Sequence, residues 1–161
     1  MGPRTVHAVT SVSMDTLVTV QVVSDQPRGL VEPAVQRALA WFSTVERICT
    51  RFDPTSEVMQ LVESVGKPVR VSTLLLEVAS FALGLAEQTD GAFDPTVGAR
   101  MEQLGFNINY RTGREVRSAV EADTVSFRDV RLDRRRGTIL LRPRSSWTST
   151  RWPRGWRSTS R

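Results

Sequence analysis

The sequence has few of the residues that most often build metal and nucleophilic sites. Its 161 residues include one cysteine, Cys49, and one histidine, His7. A single cysteine excludes an internal disulfide and any multi-cysteine metal site, and a buried free thiol is its ordinary state. A serine–histidine relay or a histidine metal site would have to rest on His7 alone, so we interpret His7 as an ordinary strand residue.

Long apolar runs are absent as well. No stretch approaches the roughly 20 consecutive apolar residues of a membrane-spanning helix. The opening residues MGPRTVHAVTSVS lack the charged-then-apolar order of a signal peptide. We therefore expect a cytoplasmic protein with no membrane span. The sequence also contains neither a phosphate-binding loop nor a dinucleotide fingerprint.

The net charge of +5 is distributed unevenly along the chain. Residues 142–161 contain six arginines and no acidic residue. Without them, 16 of the 22 basic residues remain against all 17 acidic residues, which gives a net charge of −1. The basic character therefore belongs to the last twenty residues, and it does not indicate a nucleic-acid partner for the rest.

The hydrophobic pattern predicts an α+β fold, with a mixed or antiparallel sheet and packed helices. Alternating residues over 7–23 predict a strand or hairpin that is interrupted at Met14-Asp15-Thr16. Spacings of three and four residues predict helices over 32–50 and 73–88, and the second is so apolar that we expect it to be central. The shorter predicted elements are a helix capped by Thr55 or Ser56, a strand at 69–71, a helical turn at 101–106, a weaker helix at 114–122, and strands at 125–132 and 138–141.

The string Phe-Asp-Pro-Thr occurs twice, at 52–55 and within TDGAFDPTVG at 89–98. In isolation it indicates a turn followed by a helix start, because proline suits the first helical position and a polar side chain caps the exposed amides. The same turn can also present amides and a carboxylate to a ligand, while Phe52 or Phe93 stacks on a flat ring. Spacing alone leaves both interpretations open.

The order of these segments carries a resemblance. A β segment with Met-Asp-Thr is followed by TRFDPTSEVMQL, by GKPVRVS, by an apolar helix that runs into EQTDGAFDPTVG, and by LGF. This order resembles the FAD:protein FMN transferase family, the ApbE-type proteins once labelled thiamine-biosynthesis lipoproteins. The likeness covers about residues 12–141, the N-terminal half of a family member, and TDGAFDPTVG is its most specific element.

The resemblance implies an activity and a set of binding residues. Family members use a divalent metal, normally Mg²⁺, to cleave FAD and to attach its FMN half through a phosphoester to a threonine of a target flavoprotein. Carried over by motif, Met14 lies where the family's N-terminal methionine touches flavin, and Ala92, Phe93 and Asp94 lie where its Gly-x-Phe-Asp segment binds FAD. Phe52 falls where many members have tyrosine, so ring stacking is kept there and a hydroxyl contact is lost.

The last twenty residues depart from the family. A member continues after the strand near Leu141 with an Asp-Leu-Gly-Gly-like turn and Ala-Lys-Gly, and that half supplies the metal ligands. Here residues 142–161 read RPRSSWTSTRWPRGWRSTSR, and all six residue types can be encoded with G or C at the second codon base. The 21 arginines against one lysine indicate a GC-rich gene.

We therefore interpret residues 1–141 as the N-terminal part of a flavin transferase domain and residues 142–161 as a frameshifted, disordered tail. On this interpretation the chain is a truncated, inactive transferase whose catalytic residues are unassigned and whose metal ligands are missing. A flavin-binding module without catalysis is the alternative. Arginines that alternate with Trp147, Trp152 and Trp156 would suit single-stranded nucleic acid, but out-of-frame codons explain the same composition.

The frameshift makes a prediction at the level of DNA. Because tryptophan has a single codon, Trp147-Thr148 forces an aspartate and Trp152-Pro153 an alanine in the neighbouring frame. With permitted codons, residues 145–159 become Leu-Val-Leu-Asp-Leu-Asp-Ala-Val-Ala-Lys-Gly-Leu-Ala-Ile-Asp. We expect sequencing of the gene and its downstream region to show this second frame continuing into the rest of a transferase. An unbroken original frame followed by a long non-coding gap would contradict it.

Overall fold

A β-hairpin opens the fold, as the alternating pattern predicts. The computed structural model of the chain describes residues 4–109, 112–117, 121 and 125–143. Strands β1 (Thr5–Ser13) and β2 (Thr16–Ser24) pair antiparallel, with Ser13 opposite Thr16. Met14 and Asp15 form the two-residue loop with φ values of 49° and 61°, in the left-handed region that a type I′ turn requires at both positions.

Helix α1 (Arg28–Cys49) packs along this hairpin. It begins one turn before the predicted start at Glu32, because Pro27 has the extended conformation of a capping residue and Val31 is already buried. Its buried positions in the first half recur at four-residue steps, so they lie on one face. They form a first hydrophobic cluster with strand valines, made of Val31, Val35 and Leu39 with Val9, Val18, Val20 and Val22.

Two serine-capped helices and a short strand follow. The hydroxyl oxygen of Ser56 accepts a hydrogen bond from Met59 N at 3.2 Å, which begins α2 (Glu57–Glu63). After β3 (Pro68–Arg70), the Ser72 hydroxyl oxygen accepts from Leu75 N at 3.1 Å and begins α3 (Thr73–Gln88). Of the two residues predicted to cap α2, Thr55 and Ser56, Ser56 is the cap.

A second sheet has the order β3-β5-β4, and its neighbouring strands are antiparallel. Strands β4 (Val130–Asp133) and β5 (Thr138–Leu141) confirm part of the two predicted strands. A 3₁₀ helix at Phe127–Asp129 takes the place of the first residues of the predicted strand at 125–132. The second hydrophobic cluster lies between this sheet and the helices, with buried residues Ile48, Leu61, Leu75, Leu76 and Ile139.

Two predictions on the helices need correction. Helix α3 is not surrounded by protein on all sides, since Leu75, Leu76 and Ala86 are buried while Phe81 is 77% exposed. The helix predicted at 114–122 is wrong for 114–117, where Glu115 forms a β-bridge with Ile108. The rest of that prediction falls largely outside the described residues, as does the predicted tail from residue 144 onward.

The remaining helix, α4 (Gly98–Gln103), begins directly after the second Phe-Asp-Pro-Thr string, slightly earlier than predicted. Between α3 and α4 the chain turns at Asp90 and Gly91, whose φ values are 48° and 83°. Gly91 N donates to Ala86 O at 2.8 Å and closes the end of α3. The helix predicted over 73–88 therefore has the predicted bounds.

Two glycine-to-alanine substitutions compare the need for glycine in this turn with the need for glycine in helix α3. A Cβ on Gly91 would lie 2.9 Å from Phe127 Cε1 in a left-handed backbone, so we expect Gly91→Ala to lower the free energy of unfolding by about 1–3 kcal/mol. Gly84 lies inside α3 with open space around its Cβ position, so Gly84→Ala should raise it by about 0.5–1 kcal/mol. Chemical denaturation of both variants tests this, and equal effects would contradict it.

Candidate functional site

The second Phe-Asp-Pro-Thr turn is organised by the carboxylate of Asp94. Its Oδ1 accepts from Thr96 N at 2.8 Å and from the Thr96 hydroxyl at 2.6 Å. Its Oδ2 accepts from Phe127 N at 3.4 Å. One carboxylate thus closes its own turn and joins that turn to the 3₁₀ helix, and both oxygens already accept hydrogen bonds from the protein.

Thr89 holds the segment that leads into this turn. Its hydroxyl oxygen accepts from Phe93 N at 3.1 Å, and its carbonyl oxygen accepts from Ala92 N at 3.0 Å. The hydroxyl proton can satisfy Leu85 O, 2.9 Å away in the last turn of α3. The backbone of residues 92 and 93 is therefore fixed, while Ala92 is exposed and Phe93 is 40% exposed.

The 3₁₀ helix packs against the second turn. Gly91 packs against the ring of Phe127 closely enough that no larger residue fits without a shift. The guanidinium of Arg128 lies 4.5 Å from the centroid of that ring and pairs with Asp90 at 2.7 Å. Since both charged side chains are largely exposed, we attribute the position of the turn mainly to Phe127 and its bond to Asp94.

The first Phe-Asp-Pro-Thr string adopts the same turn. Asp53 Oδ1 accepts from Thr55 N at 2.8 Å and from the Thr55 hydroxyl at 2.7 Å. The hydrogen bond from the Thr55 hydroxyl, followed by the bond from its amide, lowers the pKa of the Asp53 carboxyl below its ordinary value. Arg51 covers one face of half-buried Phe52 at 4.9 Å from the ring centroid, and its Nη1 donates to Gly98 O at 3.3 Å.

Met14 lies at the tip of the hairpin and is 44% exposed. Its amide donates to Glu46 Oε2 at 3.0 Å, and the Ser13 hydroxyl donates to the same oxygen at 3.1 Å. Glu46 is in the last turn of α1, five residues before Arg51, which reaches the first residue of α4. The end of α1 thus links the hairpin tip to the first Phe-Asp-Pro-Thr turn. Arg51 links that turn to the start of α4, which follows the second turn.

An apolar cavity of about 380 Å³ adjoins both turns. Arg51, Pro95, Thr96 and Gly98 line it on the side of the turns. The remaining lining comes mostly from α2, α3 and the second sheet. Cys49, the last residue of α1, also lines the cavity. The pKa of its thiol is raised mainly by burial and to a lesser extent by the charge of Glu57. The cavity is of the size and apolar character of small-molecule pockets, which span about 300–1,000 Å³.

The other chemical candidates have local roles. The carboxylates of Asp53 and Asp94 each accept a hydrogen bond from the threonine of their own turn. They therefore have structural roles in separate turns and do not form a carboxylate pair for acid–base catalysis. His7 is a half-buried strand residue, and its Nε2 has no hydrogen-bond partner in the part of the chain that the structure describes. In the same ranges, no group of three or more histidine, cysteine, aspartate or glutamate side chains could hold a metal ion.

Sequence reasoning missed Glu46, Arg51 and Phe127. The only local signal for Glu46 is an acidic residue in the last turn of a helix, where the helix dipole disfavours it. Arg51 precedes the first motif directly, and it could have been noted as a cation next to an aromatic ring. Phe127 lies 33 residues after Asp94, and nothing in its neighbourhood indicates that partner.

The fold of this chain is shared with solved structures of one class of protein. A TM-score of 0.67 at 22% identity relates the chain to the ApbE protein of Thermotoga maritima, over 86% of this chain. For the flavinyl transferase ApbE of Pseudomonas stutzeri the values are 0.65, 19% and 88%, and for the flavin transferase ApbE of Vibrio cholerae they are 0.63, 20% and 86%. The α+β fold with antiparallel sheets is the fold of these ApbE structures.

The sequence places the chain in the same group. The model of the ApbE family matches residues 14–148, and the chain belongs to the ApbE family. It spans 45%, 48% and 46% of the lengths of the three solved chains, less than half of each. A search of curated proteins gives no significant match.

Some sequence predictions stay predictions. No helix within the described ranges is both long and apolar enough to cross a membrane, and the cytoplasmic location stays untested. The boundary after residue 141 and the absence of a nucleic-acid partner stay untested as well.

The two matched turns allow a paired test of Asp94. We expect Asp94→Ala to lower the free energy of unfolding by about 1–3 kcal/mol, because Thr96 and the Phe127 amide lose their acceptor. Asp53→Ala removes the same local turn bonds without the bond to the Phe127 amide, so it should cost less. Urea denaturation of the two variants gives the comparison. A larger loss for Asp53→Ala would show that the Phe127 bond adds nothing.

Proposed function

We propose that this chain carries the flavin-contacting part of an FAD:protein FMN transferase. Membership of the ApbE family over residues 14–148 is the observation that carries the proposal. The fold it shares with structures described as flavin and flavinyl transferases supports it. The turn geometry adds a rigid backbone that presents an exposed aromatic ring, which suits a flat ligand such as flavin.

The proposed reaction transfers FMN from FAD to a threonine of a target flavoprotein. The threonine hydroxyl oxygen attacks the phosphorus on the FMN side of the pyrophosphate and forms a phosphoester. The bond from that phosphorus to the bridging oxygen breaks, AMP leaves with that oxygen, and the hydroxyl proton is released. Because such transfers depend mainly on positioning and charge neutralisation, a half that holds the flavin contributes through geometry. Among the described residues, that contribution falls to the hairpin tip and to the second turn.

Phe93 is the best candidate for stacking on flavin. The guanidinium of Arg51 already covers one face of the Phe52 ring, whereas Phe93 is 40% exposed on a fixed backbone. Stacking on a preorganised ring costs little conformational entropy. Phe52 is half-buried, and Arg51, which covers one face of its ring, also lines the apolar cavity.

Asp94 acts in this proposal as a positioning residue for Ala92 and Phe93. Its two oxygens hold Thr96 and the Phe127 amide, so it fixes the turn on which Phe93 stands. The apolar cavity beside Pro95 and Thr96 offers space for the apolar edge of a flavin ring. Met14, which is exposed at the hairpin tip, is a second apolar contact for the ring.

Magnesium does not fit the part of the chain that the structure describes. No grouping of acidic, histidine or cysteine side chains in those ranges could hold the ion, and both motif aspartates are engaged in their own turns. The proposal therefore assigns the metal ligands to the portion of the ApbE fold beyond the matched half. For this chain alone, we expect FAD binding without transfer, which is also the behaviour of the alternative, a flavin-binding module.

Two phenylalanine-to-alanine variants test the assignment of Phe93. Loss of the stacking ring should weaken FAD binding to Phe93→Ala roughly tenfold. Phe81→Ala is the matched control, because Phe81 is an exposed ring on α3 outside the turn, and its FAD affinity should equal that of the wild type. Titration of FAD followed by flavin fluorescence gives both constants, and equal affinities for the two variants would contradict the assignment.

The same preparation tests catalysis. The full chain is incubated with FAD, Mg²⁺ and a target peptide that carries the acceptor threonine, and the peptide is examined for covalent flavin fluorescence. We expect bound FAD and an unmodified peptide. A flavinylated peptide would overturn the assignment of the metal ligands to another part of the fold, and a wild-type chain that does not bind FAD would overturn the proposed function itself.

A further inference from the structure

The hairpin tip has a backbone conformation that its own residues do not favour. Met14 and Asp15 both lie in the left-handed region, with φ values of 49° and 61°. Glycine adopts this conformation readily and aspartate tolerates it, but methionine has no short polar side chain to compensate for it. Something outside the loop is therefore expected to stabilise Met14 in this state.

One carboxylate oxygen on α1 contacts both sides of this position. Glu46 Oε2 accepts from Met14 N at 3.0 Å and from the Ser13 hydroxyl at 3.1 Å. Ser13 is only 2% exposed, so its hydroxyl needs a partner inside the protein. Hydrogen bonds to a carboxylate are stronger than those between neutral groups. Glu46 accepts two of them, one from Ser13, the residue before the turn, and one from Met14, the first residue of the turn.

The location of Glu46 supports a dedicated role. The last turn of a helix carries partial negative charge, which disfavours a carboxylate there. The hydrogen bonds to the hairpin tip offset that cost. Another glutamate of α1, Glu32, shows the contrast, because it pairs with Arg28 at 3.3 Å in an exposed i,i+4 pair near the opposite end of the helix.

We propose that Glu46 is a positioning residue for the flavin site: it fixes the left-handed hairpin tip and thereby the place from which Met14 contacts the ligand. This inference rests on the proposed function. It adds that the affinity for FAD depends on a side chain that does not itself touch FAD. The free energy that holds the tip is supplied by α1 before the ligand arrives, so it is not taken from the binding energy.

The test uses the full chain and five variants. Glu46→Ala removes both hydrogen bonds, and Glu46→Gln keeps one acceptor oxygen without the charge. Asp15→Gly relaxes the second left-handed position, and it is also combined with Glu46→Ala. Glu32→Ala is the matched control for loss of a carboxylate from α1. Each protein is measured for FAD affinity by fluorescence, for thermal unfolding, and for the NMR chemical shift of the Met14 amide.

We expect Glu46→Ala to bind FAD roughly tenfold more weakly and Glu46→Gln about threefold more weakly, while Glu32→Ala binds as the wild type does. The double variant Glu46→Ala/Asp15→Gly should bind FAD about threefold more tightly than Glu46→Ala, because glycine removes the conformational cost at the second position of the loop. The Met14 amide shift should move in Glu46→Ala and stay unchanged in Glu32→Ala. Rescue of affinity by a glycine at position 15 would link the loss to the conformation of the loop rather than to a general loss of stability.

Three results would overturn the inference. The first is wild-type affinity in Glu46→Ala, and the second is a double variant no better than Glu46→Ala although it unfolds cooperatively. In the third, the Met14 amide shift does not move in Glu46→Ala, so Glu46 does not hold the tip in solution. A wild-type chain that fails to bind FAD removes the proposed function together with this inference, whereas failure in the variants alone leaves the proposed function standing.

Discussion

The packing of one long helix against two separate hydrophobic clusters holds this structure together. The first half of α1 buries Val31, Val35 and Leu39 against the hairpin, and its end buries Ile48 in the second cluster. A helix of 22 residues is a rod of about 33 Å, so the two clusters keep a fixed separation. Glu46 and Arg51 lie at the end of that rod, and their reach to the hairpin tip and to α4 follows from it.

Features that depend on a few neighbouring residues could be predicted from the sequence. The hairpin and its break at Met14, the caps at Ser56 and Ser72, and the stop at Asp90-Gly91 all follow from local hydrogen bonding and backbone preference. The Phe-Asp-Pro-Thr turn belongs to this class. It closes through an aspartate and the threonine two residues later, so the same string forms the same turn in two different surroundings.

Features that depend on distant partners could not be predicted. The bond from the Phe127 amide to Asp94 joins residues 33 apart, and the reach of Arg51 to Gly98 spans 47. The helix predicted over 114–122 is wrong at 114–117, because its weak local propensity does not outweigh the bridge between Ile108 and Glu115. Apolar composition alone likewise overstated the burial of α3, since it does not reveal which face meets the sheet and leaves Phe81 exposed.

The order of the second sheet has a consequence for when the protein can fold. Its central strand, β5, follows β3 and β4 in the sequence, and Val69 in β3 pairs with Ile139 in β5. Within the described sheet, β3 can pair only after synthesis has passed Leu141, while the hairpin and α1 can pack together much earlier. Pairings of such long separation are slow to form because the intervening loop must close first. During synthesis the hairpin and α1 should thus be structured well before the second sheet.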